Sequence, residues 1–194
     1  MHLICVTGPP AVGKMTVGRA VCDLTGFRLF HNHMSIEPLL GVYDFGTPSF
    51  RRINAMIRRE VIAESVVAGL PGLVFTFAID LDDPGELEQL QELVEPVERA
   101  GAPVDVVELR APQHVRLARE GGADRMDHKR SKRDVEWARA HVVDLESRAR
   151  FTTDPARDGE RLLPAHRHLR LDNDHADARV TAERIVAELG LPRL

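Results

Sequence analysis

Cysteine, aromatic rings, net charge and long apolar runs are all scarce in this chain of 194 residues. The two cysteines, Cys5 and Cys22, stand at apolar positions of the first two elements, so they read as small buried hydrophobes and not as a disulfide framework. A net charge of -4 gives no general pull toward nucleic acid or an anionic membrane. Aromatics are 5% of the residues, and the basic run from 116 to 133 lacks the interleaved rings on which bases stack; nucleic acid is not an expected partner. No segment is apolar for long enough to cross a bilayer, and no secretory leader pattern is seen. Internal repeats and long linkers are missing too. A single domain over 1–194 with an ample core, working in a reducing cytoplasm, is the expectation.

What is present is concentrated near the N-terminus. Residues 8–16 read Gly8, Pro9, Pro10, Ala11, Val12, Gly13, Lys14, Met15 and Thr16, following the apolar run 2–7 and opening a helical pattern with Val17, Ala20, Val21 and Leu24 on one face. The spacing G-x-x-x-x-G-K in a strand-then-helix context is that of a phosphate-binding loop. Its backbone N–H groups and helix N-terminus meet the phosphates, and Lys14 reaches the β- and γ-phosphates of a nucleotide. Met15 follows the lysine and has no side-chain oxygen for Mg2+. The hydroxyl comes one position later at Thr16, and a carboxylate from elsewhere is required.

Strand and helix patterns alternate through the rest of the chain. Strands are expected at 27–31, 73–79, 104–109 and 168–171. Helices are expected after Pro48, after Pro84, over 135–149 and over a final stretch that ends at Gly190. The alternation implies a parallel α/β sheet with right-handed crossovers, with ligands at the carboxyl ends of the strands.

With its phosphate loop, five strands, a basic helix-loop-helix and the Asp172-Asn173 pair before a terminal helix, the chain resembles the P-loop small-molecule kinases. That group includes shikimate, gluconate and adenylate kinases and chloramphenicol phosphotransferase. The resemblance covers nearly the whole chain, and Gly13-Lys14-Met15-Thr16 is similar to the adenylate kinase arrangement. It implies a three-layer P-loop NTPase fold with a five-stranded parallel sheet ordered 2-3-1-4-5 and a helical lid at about 116–133. It further implies ATP with Mg2+ on the loop and a small-molecule acceptor near strands two and three. Arg119, Asp172 and Asn173 would then lie on the nucleotide side, and Arg125 would reach the transferred group.

The end of the second strand reads His31-Asn32-His33, where shikimate and gluconate kinases tend to have an aspartate. In an extended chain His31 and His33 share one side, so either is a candidate to accept a proton near neutral pH or to bind the acceptor. Structural hydrogen bonding and a metal site are the competing readings. Ser35 is in position to cap a short helix. Asp80, after the third strand, is a candidate Mg2+ ligand through water, or else an acid at a helix N-terminus. By resemblance to shikimate-like kinases, Arg51 or Arg52 is a candidate to hold an anionic acceptor, with Arg51 and Arg58 seven residues apart on one helix face. The combined expectation is transfer of the γ-phosphoryl group of ATP to a small molecule. A nucleoside monophosphate kinase and an ATP-binding switch or slow ATPase are the alternatives.

Overall fold

The computed structural model describes residues 1–119, 135–154, 156–157, 159–174 and 177–194. Five parallel strands, β1 (His2–Thr7), β2 (Arg28–His31), β3 (Gly72–Thr76), β4 (Val104–Arg110) and β5 (Arg167–Asp172), form one sheet in the order β2-β3-β1-β4-β5. This is the order expected from the resemblance. The run of β1 is apolar at every central position because both faces are covered. Leu3 and Cys5 join a core with Phe75, Ile62 and Val97, while Ile4 and Val6 join another with Val17, Val21 and Ile185.

Helices among the described residues are α1 (Lys14–Thr25), α2 (His33–Leu40), α3 (Pro48–Val67), α4 (Pro84–Arg99), α5 (Gln113–Arg119), α6 (Val135–Arg148) and α7 (Ala178–Leu189). α1 packs with α7 on one face of the sheet and α3 with α4 on the other. Their ends follow local chemistry. Thr47 and Asp83 cap α3 and α4 ahead of Pro48 and Pro84, and Gly190 closes α7 in the left-handed region.

Three local expectations need correction. The third strand stops at Thr76 and not at Ile79, although Phe77, Ile79 and Leu81 stay buried. The apolar run continues because the loop leaving β3 is itself packed in the core, and hydrophobicity alone cannot separate a buried loop from a strand. Asn32 is already helical (φ -44°, ψ -42°), so the two-residue alternation ends there and His31 and His33 do not share an extended side. Ser35 accordingly lies inside α2, where its hydroxyl donates to the Asn32 carbonyl at 3.2 Å and is not a cap.

Both cysteines are free thiols. Burial, with a nearby aspartate as the lesser cause, pushes each up to about 12, so neither is an active thiolate.

The ends of β4 and β5 are joined through a buried carboxylate. Glu108 accepts at Oε2 from Thr153 Oγ1 at 2.6 Å and at Oε1 from Arg110 Nε at 2.7 Å, and His168 Nε2 lies 3.1 Å from Oε2. Burial alone would raise this carboxyl, but these hydrogen bonds outweigh burial and hold it at about 2. A carboxyl lowered from 4.5 to about 2 contributes about 3 kcal/mol of folding stability above its unfolded value. The contribution fades as the pH falls from 4.5 toward 2. Urea unfolding of the wild type and of Glu108→Gln across this range is expected to show the variant less stable at pH 7 by about 2–3 kcal/mol, with the gap closing on acidification. A gap that is unchanged at low pH would contradict this assignment.

Candidate active site

The loop between β1 and α1 has the shape its sequence spacing requires. Gly8 adopts φ 134°, and a Cβ there would lie 2.3 Å from the Leu109 carbonyl oxygen, so only glycine lets the loop pass the end of β4. Ala11 also has positive φ (63°). Gly13 (φ 100°) precedes α1 without a side-chain cap, which leaves the helix N-terminus to an external anion. Lys14 Nζ donates to the carbonyls of Gly8 at 2.6 Å and Pro9 at 2.9 Å, spanning the loop it would share with a phosphate.

The loop is held from behind. Asn173, buried after β5, donates through Nδ2 to the Val12 carbonyl at 2.6 Å, and its Oδ1 accepts from Thr181 Oγ1 of α7 at 2.6 Å. Arg119 donates to the Asn173 carbonyl at 2.8 Å and the Val12 carbonyl at 3.3 Å; burial lowers its pKa from the usual arginine value. Arg116 is buried. It donates to Pro10 and Ala111 carbonyls and pairs with Glu146 of α6. Sequence reading counted Arg116 among the lid cations because a cation in a basic run gives no sign of a carboxylate thirty residues on. Arg125 and most of the expected lid lie outside the described residues.

Two cavities flank the loop. One, about 430 Å3, is bounded by Pro9, Arg110, Arg116, Glu146, Arg150 and Asp172. The other, about 880 Å3, extends from Pro10 across the carboxyl end of β3 to α3 and α4. Both include Ala149 and Phe151, so they are neighbours across the segment after α6.

The larger cavity sorts the remaining candidates. Arg51, Arg58 and Asp80 line it; Arg52, exposed on α3, does not, and neither do His31 or His33. Between them Asn32 does, its Oδ1 accepting from Arg58 Nη2. His33 Nδ1 lies 3.1 Å from Glu37 Oε1 one helical turn on, a carboxylate partner that becomes visible only once the segment is known to be helical.

Arg58 is the site residue that sequence reasoning passed over as helix decoration. Besides Asn32, it donates to Ser35 Oγ at 3.0 Å and lies 5.8 Å over the Phe75 ring. Burial lowers it to about 10. The seven-residue spacing from Arg51 was the available signal. Asp80 Oδ1 accepts from the backbone N–H groups of Asp82 at 3.1 Å and Arg150 at 3.0 Å, and burial raises the pKa of neighbouring Glu86. The cap of α4 is Asp83, not Asp80. Among the described residues no group of three or more His, Cys, Asp or Glu is clustered as a metal cage, and no helix is long and apolar enough to cross a membrane.

No protein-family model matches the chain, and no curated protein sequence matches it at a significant level. Solved structures do match. A sugar kinase from Janibacter sp. aligns with a TM-score of 0.64 at 19% identity, over 98% of this chain and 95% of its own. Shikimate kinase from Bacteroides thetaiotaomicron aligns at 0.60 and 16% identity, over 98% and 99%. A gluconokinase from Sinorhizobium meliloti aligns at 0.54 and 16%, over 97% and 95%. The structural neighbours are small-molecule P-loop kinases, and this chain has their fold.

Asn173 offers a sharp check on how the loop is held. Asn173→Asp keeps the shape but replaces the donor facing the Val12 carbonyl with an acceptor, whereas Asn173→Ala only removes it. Both variants are expected to lose about 1–3 kcal/mol in urea unfolding, with the isosteric aspartate the worse of the two. An aspartate variant as stable as wild type would contradict the geometry.

Proposed function

We propose that the protein is an ATP-dependent kinase that transfers the γ-phosphoryl group of ATP to a hydroxyl of a small molecule held in the larger cavity. The observation that carries this reading is the placement of the phosphate loop between two cavities that meet at Ala149 and Phe151. One chamber suits the nucleotide and the other the acceptor, and the loop borders the first at Pro9 and the second at Pro10.

The residues present fit a nucleoside triphosphate. The N-terminus of α1 has no side-chain cap, and Lys14 can exchange the Gly8 and Pro9 carbonyls for phosphate oxygens. In the reaction the acceptor oxygen forms a bond to the γ-phosphorus as the bond to the β,γ-bridging oxygen breaks. ADP leaves with that electron pair, and the hydroxyl proton passes to a carboxylate or to water. The transition state is loose, so catalysis rests mainly on positioning and charge stabilisation. Lys14 provides the fixed cation, and Arg125 of the lid is proposed as a second. Mg2+ arriving with the nucleotide would neutralise charge on the β- and γ-oxygens. Thr16, exposed on the first turn of α1, and Asp80 are the residues proposed to hold it, directly or through water. Acceptor contacts are assigned to Arg51, Arg58 and Asp80, which line the cavity, in place of Arg52, His31 and His33, which do not.

The test is ADP formation from Mg-ATP across a panel of hydroxylated acceptors, with Lys14→Ala as control. Acceptor-stimulated ADP release is expected, reduced about 100-fold or more in the control. ATP binding with a flat background for every acceptor would favour a nucleotide switch instead.

A further inference from the structure

Arg116 is a cation beside the phosphate loop whose hydrogen bonds go to the protein. It is 5% exposed, belongs to α5 and lines the smaller cavity. Its Nε donates to the Ala111 carbonyl at 2.9 Å, its Nη1 donates to the Pro10 carbonyl of the loop at 3.0 Å, and the same Nη1 pairs with Glu146 Oε1 of α6. The second Glu146 oxygen accepts from Gln113 Nε2 at 2.7 Å, so one carboxylate ties α6 to two residues of α5. A guanidinium this deeply buried keeps its charge, and separating it from its partner would strand that charge. The pair is built as a strut.

Glu146 stands one helical turn before Ala149, which together with Phe151 forms the partition that both cavities share. The partition is pinned on its far side as well. There the Arg150 N–H donates to Asp80 Oδ1 at 3.0 Å, and the Leu81 N–H donates to the Arg150 carbonyl at 2.8 Å. Contacts therefore run without a gap from Pro10 through Arg116 and Glu146 to the wall of the larger cavity.

We infer that Arg116 and Glu146 are positioning residues that set the Pro10 end of the phosphate loop and the partition between the cavities as one unit. Neither has to touch a phosphate. What the two cavities hold rests on the kinase reading; the strut itself requires only a polyanion on the loop. Charge and position make opposite forecasts at Glu146. Taking away a carboxylate beside an anion site tightens anion binding by Coulomb attraction, whereas taking away a strut weakens it.

Calorimetric titration of the full chain with Mg2+-free tripolyphosphate, at a temperature where circular dichroism shows every variant folded, separates these forecasts. Glu146→Gln, and Arg116→Lys, which keeps the charge and loses the fork, are each expected to weaken binding about fivefold, the worth of one hydrogen bond. Arg116→Met combined with Glu146→Leu removes the pair without stranding a charge, so it is expected to keep the thermal midpoint and still lose the affinity. Asp144→Ala breaks only an exposed pair with Arg148 on the same helix and is expected to leave binding unchanged. Hydrogen exchange reads the partition: tripolyphosphate is expected to slow the amides of 149–152 in the wild type and not in the double variant. Tighter binding by Glu146→Gln, wild-type affinity in Arg116→Lys or in the double variant, slowed exchange that survives in the double variant, or a wild type that does not bind tripolyphosphate overturns the inference. ADP release across the acceptor panel separates the two levels. The expected binding and exchange pattern without acceptor-stimulated ADP release leaves the strut standing and removes the kinase reading; acceptor-stimulated ADP release with an unchanged KM for ATP in the double variant does the reverse.

Discussion

The Val12 carbonyl oxygen takes hydrogen bonds from two side chains at once, the Asn173 amide and the Arg119 guanidinium, and much of the site is arranged around that meeting point. Asn173 also donates its own N–H to the Arg110 carbonyl, accepts from Thr181, and offers its carbonyl to Arg119. One buried residue therefore joins the phosphate loop to the end of β4, to α5 and to α7. The approach is so close that Gly13 has no room for a side chain: a Cβ there would lie 2.9 Å from Asn173 Nδ2. The conformation of the loop is thus braced by contacts with the ends of β4 and β5 behind it.

A second set of polar ties positions the wall between the two cavities. The segment after α6 is drawn in by Glu108 through Thr153, and by the loop after β3 through reciprocal bonds: the Arg150 N–H donates to Asp80 Oδ1, and the Leu81 N–H to the Arg150 carbonyl. The Arg150 guanidinium bridges Asp82 and Glu160. Asp82 is well exposed, so that half of the bridge is screened and adds little; the buried carboxylate at Glu108 bears most of the electrostatic load. The arrangement leaves Phe151 and Ala149 as a partition whose height depends on residues distant in sequence.

How much of this could be read in advance depended on how local the chemistry was. The phosphate loop was legible because Gly8, Gly13 and Lys14 fall in one short stretch and Lys14 bonds the Gly8 and Pro9 carbonyls beside it. Strand order followed only from resemblance, since no feature of an apolar strand names its neighbour. The pairing of His31 with His33 failed because a single helical residue, Asn32, decides whether positions two apart face the same way. Arg51 and Arg58 stood out by spacing, but choosing Arg58 over Arg52 required knowing that Asn32, Ser35 and Phe75 surround it. Glu108 had no signature: an acid within an apolar strand looks like a solvent-facing position until β5 and Thr153 close over it. Asn173 was picked out by its place before the last helix, and its role as a brace was not.

The order of the sheet leaves β2 and β5 as its two edges. An exposed strand edge invites pairing with another chain, and natural proteins blunt it with short strands and cations. Here β2 has four residues and opens with exposed Arg28, while β5 carries Arg167 and Arg170 in six. Any second molecule sliding alongside would have to strip water from these cations and lay its own strand against them. The same arginines that tie β5 to Asp105 and Thr153 therefore discourage fibrillar association at high protein concentration, a colloidal benefit drawn from residues whose contacts are all internal.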